Sequence, residues 1–500
     1  MKKGSSEEMH WVGQEGPLAH QVTKGGLWVF AFRGVDNGLR LIKLVILARV
    51  LAPNDFGLFG IALLAMSTLE TFSQTGFQTA LVQKKGDITR YLDTAWTVFI
   101  MRSAILFALL FFSAPHVALF FNTPDASPII KVIGVSILLA GFTNIGIVYF
   151  QKEMEFDRQF IYQLSVTLVD LLVVIAAALA FKNVWAFVFG LLAGNITGLV
   201  MSYVLHPYRP HFRLDLSKAK VLFGFGKWVF WSSILIFLVT QGDDVFVGKF
   251  LGVTMLGFYQ MAYRISNMPA TEITHVISQV TFPAYSKMQD DLLRLREAYL
   301  RVLQLTAFLA FPMAGLIFVL APEFTKLFLG EKWMPIVPAM QVLCIFGIIR
   351  AFNATTGSVF QAVGRPSILT KVSFIQLLFL AAIIYQFTDI GKLVGISLAV
   401  TLANFLCFVL AFKEVLKITK ESKKKLFIVV LPSLLITFSI LFFCYLIKLA
   451  TLEKFSLVIS FAFSLLTGLG VYLIYAKFLG FSFSNFINSG SLFNKRFTKM

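Results

Sequence analysis

The sequence predicts an all-α polytopic membrane protein with about fourteen transmembrane helices, and three observations carry that prediction. Of its 500 residues 57% are hydrophobic and only 14% charged, more apolar surface than a water-soluble chain of this length can bury. Apolar runs of roughly 20 residues, the length that crosses a hydrocarbon core, recur along the chain between short charged links. The runs are continuous and lack the alternation of a transmembrane β-barrel, whose segments are about ten residues long.

The elements follow in order. The opening MKKGSSEEMHWVGQEGPLAHQVTKGG is polar and has no apolar signal core, so the first helix is expected to direct insertion. Span one, 26–49, is apolar but carries Arg33, Asp36, Arg40, Lys43 and Arg49. Span two, 56–81, stops before Lys84 and Lys85, and span three, 92–113, contains Arg102. Spans four to six, 128–150, 160–181 and 184–205, end at a basic link with Arg209, Arg213, Lys218 and Lys220. Span seven, 222–249, holds Asp243 and Asp244; span eight, 254–283, holds Arg264, Pro269, Glu272 and His275. A cluster from Lys287 to Arg301 precedes span nine, 300–320, and span ten, 334–361, contains Arg350 and Asn353. Spans eleven and twelve, 367–387 and 391–412, lead into the basic run Lys413–Lys425, followed by spans thirteen and fourteen, 426–448 and 455–477. Cys344, Cys407 and Cys444 all fall inside spans and read as packing residues rather than disulfide or metal ligands.

A net charge of +18 raises nucleic acid as a partner, but its distribution argues otherwise. With both termini in the cytoplasm, roughly 28 of the 44 Lys and Arg fall in cytoplasmic links, against about 9 outside and about 7 within spans, so the positive-inside rule explains the basicity. The run KESKKK reads as a topogenic, headgroup-facing loop.

The chain also repeats itself. LARVLAPNDFGLFGIA from Leu47 aligns without gaps on VGKFLGVTMLGFYQMA from Val247, matching Arg49 with Lys249 and Gly57 with Gly257; APHVALFFNTPDASPI from Ala114 resembles APEFTKLFLGEKWMPI from Ala321. The unit is six helices. An even number of crossings gives both copies one orientation, so the expected architecture is two pseudo-symmetric six-helix lobes around a central cavity, plus two extra C-terminal helices. The expected organisation is a cytoplasmic segment 1–23, an N-lobe 24–206, a cytoplasmic linker 207–221, a C-lobe 222–413, a basic loop 414–425, helices thirteen and fourteen in 426–478 and a cytoplasmic tail 479–500.

A charge at mid-bilayer costs about 2.5–3.5 kcal/mol on insertion scales, so intramembrane charges usually face a cavity or one another. At helical spacing Arg33, Asp36, Asn37, Arg40 and Lys43 share one stripe, in which Asp36 can pair with Arg33 or Arg40 and net positive charge remains. This stripe reads as a cationic wall for an anionic substrate, the rival being a self-neutralising packed helix. Arg264, Arg350 and Asn353 join it as candidate cavity residues, while Arg102 lies close enough to the cytoplasm to snorkel. Arg49, Asp243, Asp244, Glu272 and His275 are gate or coupling candidates. Because the repeat sets Asp243 opposite Lys43, Asp243 or Asp244 is expected to pair with Arg40, Lys43 or Arg49 across the lobes.

The stretch LARVLAPNDFGLFGIALLAMSTLETFSQTGFQTALVQ, Leu47 to Gln83, resembles the lipopolysaccharide and exopolysaccharide biosynthesis branch of the oligosaccharide flippases, within the multidrug/oligosaccharidyl-lipid/polysaccharide exporter superfamily. QKEMEFDRQF after span four and the AVGRP turn after span ten fit the same branch. The resemblance implies a bacterial inner-membrane flippase that moves undecaprenyl-pyrophosphate-linked oligosaccharide to the periplasmic leaflet by alternating access, for O-antigen, capsule or exopolysaccharide synthesis. It further implies a cationic cavity, arginines on helices one and eight, for which Arg33 and Arg264 are the candidates, a lipid-facing groove made with helices thirteen and fourteen, and polymerase and export machinery as partners. No cofactor is expected; proton or sodium coupling stays open, and membrane lipids rather than nucleic acid are the surroundings.

The chemistry fits on its own terms. A pyrophosphate-sugar headgroup is too polar to cross hydrocarbon unaided, whereas its polyprenyl tail can stay in lipid. A cation-coupled drug exporter would use Asp36, Asp243 and Glu272, against which stands the excess of intramembrane arginine. A glycosyltransferase or polymerase would need an acidic or metal-assisted site in a sizeable outer loop, and the sequence offers none; it also lacks a Walker motif.

Overall fold

The computed structural model describes residues 18–73, 81, 88–153, 155–215, 226–451 and 455–478, with side chains outside that description at 18–32, 226–232, 275, 276, 279, 280 and 423. The described residues are mostly helical and form no strand. The helices are α1 (Leu18–Val50), α2 (Pro53–Phe72), α3 (Thr89–Phe120), α4 (Ala126–Gly141), α5 (Val148–Lys152), α6 (Phe156–Phe181), α7 (Trp185–Leu205), α8 (Gly226–Phe250), α9 (Val253–Ser286), α10 (Leu292–Phe324), α11 (Val337–Ala362), α12 (Ser367–Gly391), α13 (Leu393–Thr419), α14 (Lys423–Thr451) and α15 (Leu457–Phe478). Ten of them are long and apolar enough to cross a bilayer, or eleven if the bent α4–α5 pair is one span. The protein is a multi-pass membrane protein. Helices α1, α8 and α9, which carry much of the intramembrane charge, do not meet that measure.

Local chemistry explains where elements depart from the sequence reading. Helix α2 ends at Phe72, and residues 74–80, through which span two was expected to continue to 81, lie outside the described residues. At the end of α2, Arg102 of α3 donates to Ser73 O at 2.9 Å, to Ser73 Oγ at 2.8 Å and to Glu70 O at 3.2 Å, adding to the backbone bond that the Ser73 N–H makes to Glu70 O. Arg102 is therefore a helix-end cap. Span four is broken by a 71° bend between Ala126–Gly141 and Ile145–Lys152. Asn144 accepts from the backbone N–H of Gly146 at 2.9 Å and donates to Tyr208 O at 2.7 Å, so the freed backbone at the break is held by a side chain instead of lipid. The segment after α7 is pinned back onto α3: Tyr208 donates its hydroxyl to Asp93 at 2.6 Å, and His211 donates its backbone N–H to the same carboxylate at 2.9 Å. His206, stacked on Tyr149, has its pKa pushed down to about 4 by burial and by Arg158 and Arg209, and its neutral ring accepts the Tyr208 N–H.

The first half of the chain, α1–α7, meets the second, α8–α13, where α2 crosses α9. A Cβ added to Gly57 would lie 1.9 Å from Val253 O, and one added to Gly257 would lie 2.1 Å from Pro53 O, so only glycine permits this backbone approach. Cations at the ends of α1 and α8 reach across the same junction. Arg49 donates Nε to Phe328 O at 2.9 Å and its Nη2 to Leu327 O, and Lys249 donates to Phe120 O at 2.6 Å. In return, Lys332 donates to Arg49 O at 3.0 Å and to Leu51 O just beyond α1 at 2.7 Å, and the buried Trp333 donates to Ala48 O at 2.9 Å. Helix ends that would otherwise face lipid with open carbonyls are thus closed by the opposite half.

Helix α14 is fastened to α10. Lys448 pairs with Glu323 at 2.7 Å and also donates to Val319 O; the two side chains are 11% and 7% exposed. Near the other end, Arg296 lies 3.0 Å and Lys425 3.6 Å from Glu421. Removing one partner from a buried pair strands the other charge, at about 3–5 kcal/mol, whereas replacing both with apolar residues is often neutral. Glu323→Ala is therefore expected to lower the thermal midpoint of the purified protein markedly, and Glu323→Leu combined with Lys448→Met to restore most of it; a fluorescence melt compares the three.

Candidate functional site

The charged stripe of α1 faces α6. Asp36 is buried and accepts from Thr167 Oγ1 at 2.9 Å and from Arg40 Nε at 2.7 Å. One turn further along, Lys43 pairs with Asp170 at 2.6 Å. These contacts leave Arg40 largely exposed, at 57%. A cavity of about 400 Å³ opens beside them, with Arg40 and Lys43 of α1, Thr167, Asp170 and Leu171 of α6, Asn195 of α7, and Gln260, Met261 and Arg264 of α9 among its walls. Phe56 and Phe59 of α2 and Phe187 of α7 add an aromatic side. The cavity draws on both halves of the chain and is within the size range of small-ligand sites.

Three cations and one carboxylate line it, an excess of two positive charges. Asp36 does not line the cavity and neutralises part of Arg40 from the side. Such an arrangement suits a multiply charged anion, because guanidinium and ammonium donors make the strongest hydrogen bonds to phosphate-like oxygens.

The other candidates are distributed as follows. Arg33 comes within 3.7 Å of Glu272, joining α1 to α9 on the N-terminal side of the cavity residues of α1. Arg350 reaches Tyr263 Oη and Thr271 Oγ1, both at 3.4 Å, and Asn353 donates to Asn404 Oδ1 at 2.9 Å; neither residue lines this cavity. The expected pairing of Asp243 or Asp244 with Arg40, Lys43 or Arg49 is not the one formed. Asp243 is buried and accepts from Tyr259 Oη at 2.6 Å, while Lys43, Arg40 and Arg49 take Asp170, Asp36 and the α10-end carbonyls. The physical reason is that the repeat relates residues at equal depth in two halves, and equivalence becomes contact only near the junction. Gly57 and Gly257 lie there, each against the backbone of the other half, whereas Lys43 takes Asp170 of α6 and Asp243 takes Tyr259 of α9, each within its own half. The side chain of His275 falls outside the described residues.

Sequence reasoning missed Asp170, although a lone carboxylate deep in an otherwise apolar span was the signal that would have found it. Thr167 and Asn195 carry no such signal, since hydroxyl and amide residues are ordinary in membrane helices.

Comparison with known proteins bears on the site as well. Residues 46–338 match a sequence family described as polysaccharide biosynthesis protein. The lipopolysaccharide biosynthesis protein WzxC of Escherichia coli (strain K12) is 25% identical over 403 residues, covering 80% of this chain and 82% of that protein. The teichuronic acid biosynthesis protein TuaB of Bacillus subtilis (strain 168) is 25% identical over 354 residues, covering 70% of this chain and 73% of its own. Among solved structures, the lipid II flippase MurJ in an inward closed conformation superposes with a TM-score of 0.70 at 16% identity, over 93% of this chain and 99% of that one. An inward-facing multidrug resistance MATE family transporter of the MOP superfamily gives 0.59 at 17% identity, over 77% and 96%. The chain shares the fold of both.

Proposed function

Because the chain belongs to the polysaccharide biosynthesis protein family, we propose that it is a bacterial inner-membrane flippase that carries undecaprenyl-pyrophosphate-linked oligosaccharide between leaflets by alternating access. The observation that carries this reading is the cavity in which Arg40, Lys43 and Arg264 outnumber Asp170. A pyrophosphate diester brings two negative charges, which balance that excess, and the polyprenyl chain can remain in lipid while the headgroup is held.

In this reading α1, α8 and α9 also cross the membrane, giving fourteen crossings with both termini cytoplasmic. Residues 24–206 and 222–413 form two lobes, and the extra helices in 426–478 travel with the second through Glu323–Lys448. The Gly57–Gly257 crossing and the Arg49 and Lys249 contacts close the outer side, and Arg33–Glu272 is the inner latch. Asp243, with one carboxylate oxygen buried and without a partner, is the coupling candidate, for protons or sodium. Asp244 and His275 are further gate or coupling candidates, while Arg350 and Asn353, expected among the cavity residues, do not line the cavity assigned to the headgroup.

Asp170 gives the reading its test. It is a built-in anion that occupies Lys43 when no substrate is bound, and incoming phosphate must compete with it. At an effective dielectric of about 20, a like charge some 7 Å from the phosphate costs about 2 kcal/mol before salt screening. Asp170→Asn is therefore expected to tighten binding of undecaprenyl pyrophosphate about tenfold, measured by titration into protein in nanodiscs. Unchanged or weaker binding would mean that Asp170 serves packing alone and that Lys43 does not meet the phosphate.

A further inference from the structure

A second cavity, of about 290 Å³, lies at the break between α4 and α5. Its walls are of a different character from the first: Gln159, Tyr162 and Gln163 of α6, Thr143 and Gln151 beside the break, and Phe99 of α3, with no Lys, Arg, Asp or Glu among them. Amides and hydroxyls with aromatic neighbours are the groups that recognise neutral sugar hydroxyls, through hydrogen bonds to the oxygens and apolar contact with the ring. Gln159 lines this cavity, and its Oε1 is buried and has no hydrogen-bond partner among the described residues. Interrupted helices at membrane depth are tolerated where they line a cavity, and in transporters they commonly mark the place where a ligand is held.

The position relative to the cationic cavity is what gives this pocket a role. At 3.6 residues per turn, Gln159, Gln163, Val166 and Asp170 fall on one face of α6, and the cationic cavity is lined by the last two. Seven residues separate Gln163 from Asp170, about 10 Å along the helix axis, which is the reach of about two sugar units from a pyrophosphate held at Lys43. We propose that the glutamine-lined pocket at the α4–α5 break is a glycan subsite, which binds the neutral sugars nearest the pyrophosphate and so sets which oligosaccharide is carried. The inference rests on the pyrophosphate reading of the cationic cavity. It assigns selection to α6, one helix that contacts both parts of the headgroup.

The test compares two ligands in nanodiscs: bare undecaprenyl pyrophosphate, and undecaprenyl pyrophosphate bearing each of a panel of neutral hexose and N-acetylhexosamine trisaccharides. The wild-type protein is expected to bind at least one glycan-bearing lipid about tenfold tighter than the bare lipid. Gln159→Leu with Gln163→Leu removes that preference and leaves binding of the bare lipid unchanged; Gln159→Asn, which keeps the amide, retains part of it. A preference that survives the double substitution, a wild-type protein with no preference, or equal loss of both lipids overturns the subsite. Failure of the wild-type protein to bind even the bare lipid has a different meaning: it removes the pyrophosphate reading, and the subsite falls with it.

Discussion

Replacing Arg40, Lys43 and Arg264 together with alanine is expected to lower flipping of undecaprenyl-pyrophosphate-linked oligosaccharide in proteoliposomes by at least about 100-fold, with the protein still inserted and folded. Each of these side chains lines the cavity and can donate to a phosphate oxygen. A hydrogen bond to a charged group contributes about 1.5–3 kcal/mol, so the loss of three removes roughly 5–9 kcal/mol of headgroup binding if they act independently. The expected rate effect is set lower because contacts made equally in the bound and translocating states cancel in the rate; Asp170 and Asp36 lose their ion-pair partners in the same variant, and the net acidic cavity that results adds to the loss. A single Lys43→Ala should be milder than Arg264→Ala, since Lys43 already shares its charge with Asp170 at 2.6 Å. A triple variant that flips at the wild-type rate would show that the cations hold helices together and do not touch the substrate.

The second large effect is expected at the glycine crossing. Gly57→Val would put a Cβ 1.9 Å from the Val253 carbonyl oxygen, and Gly257→Val one 2.1 Å from that of Pro53. Separations below about 3 Å are not sustained between a methyl carbon and a backbone oxygen, so α2 and α9 must part by an ångström or more, and the Arg49 and Lys332 contacts part with them. If the crossing closes the outer side, either variant holds the protein open to that side. Transport should fall by more than about tenfold, and a cysteine placed in the cavity, such as Asn195→Cys, should become reactive to an impermeant thiol reagent added from outside. Unchanged labelling would place the gate elsewhere. Gly57→Ala tests the same point with the smallest added group, since even one methyl overlaps the carbonyl.

Much of this was legible in the sequence where the signal was local or periodic. The stripe on α1 follows from spacing alone, and Arg40 and Lys43 do line the cavity. The repeat alignment matched Arg49 with Lys249, and each ends on carbonyls at the close of a helix in the opposite half, Arg49 on Phe328 and Lys249 on Phe120. What could not be read was pairing across helices. Lys43 had several carboxylates within plausible reach, and the choice of Asp170 over Asp243 depends on how α1 packs against α6, which no periodicity encodes. The 71° break between α4 and α5 was equally hidden: the stretch 126–152 is apolar through most of its length, and only the turn at 141–144 with its Asn144 side-chain bond interrupts it. The polar pocket at that break was hidden for the same reason, because Gln159 and Gln163 lie near the end of a span where polar residues are unremarked.

The central claim is that the cation cluster reads a pyrophosphate. Its most direct test is the initial flipping rate in liposomes for two lipids that differ only at that group: an oligosaccharide joined to undecaprenol through pyrophosphate, and the same oligosaccharide joined through a neutral ether. Leaflet position is read from the accessibility of the glycan to an external glycosidase. The account predicts flipping of the pyrophosphate lipid at least about 100-fold faster than the neutral one, with the difference lost in the Arg40, Lys43 and Arg264 triple variant. Equal rates for the two lipids in the wild-type protein would contradict it.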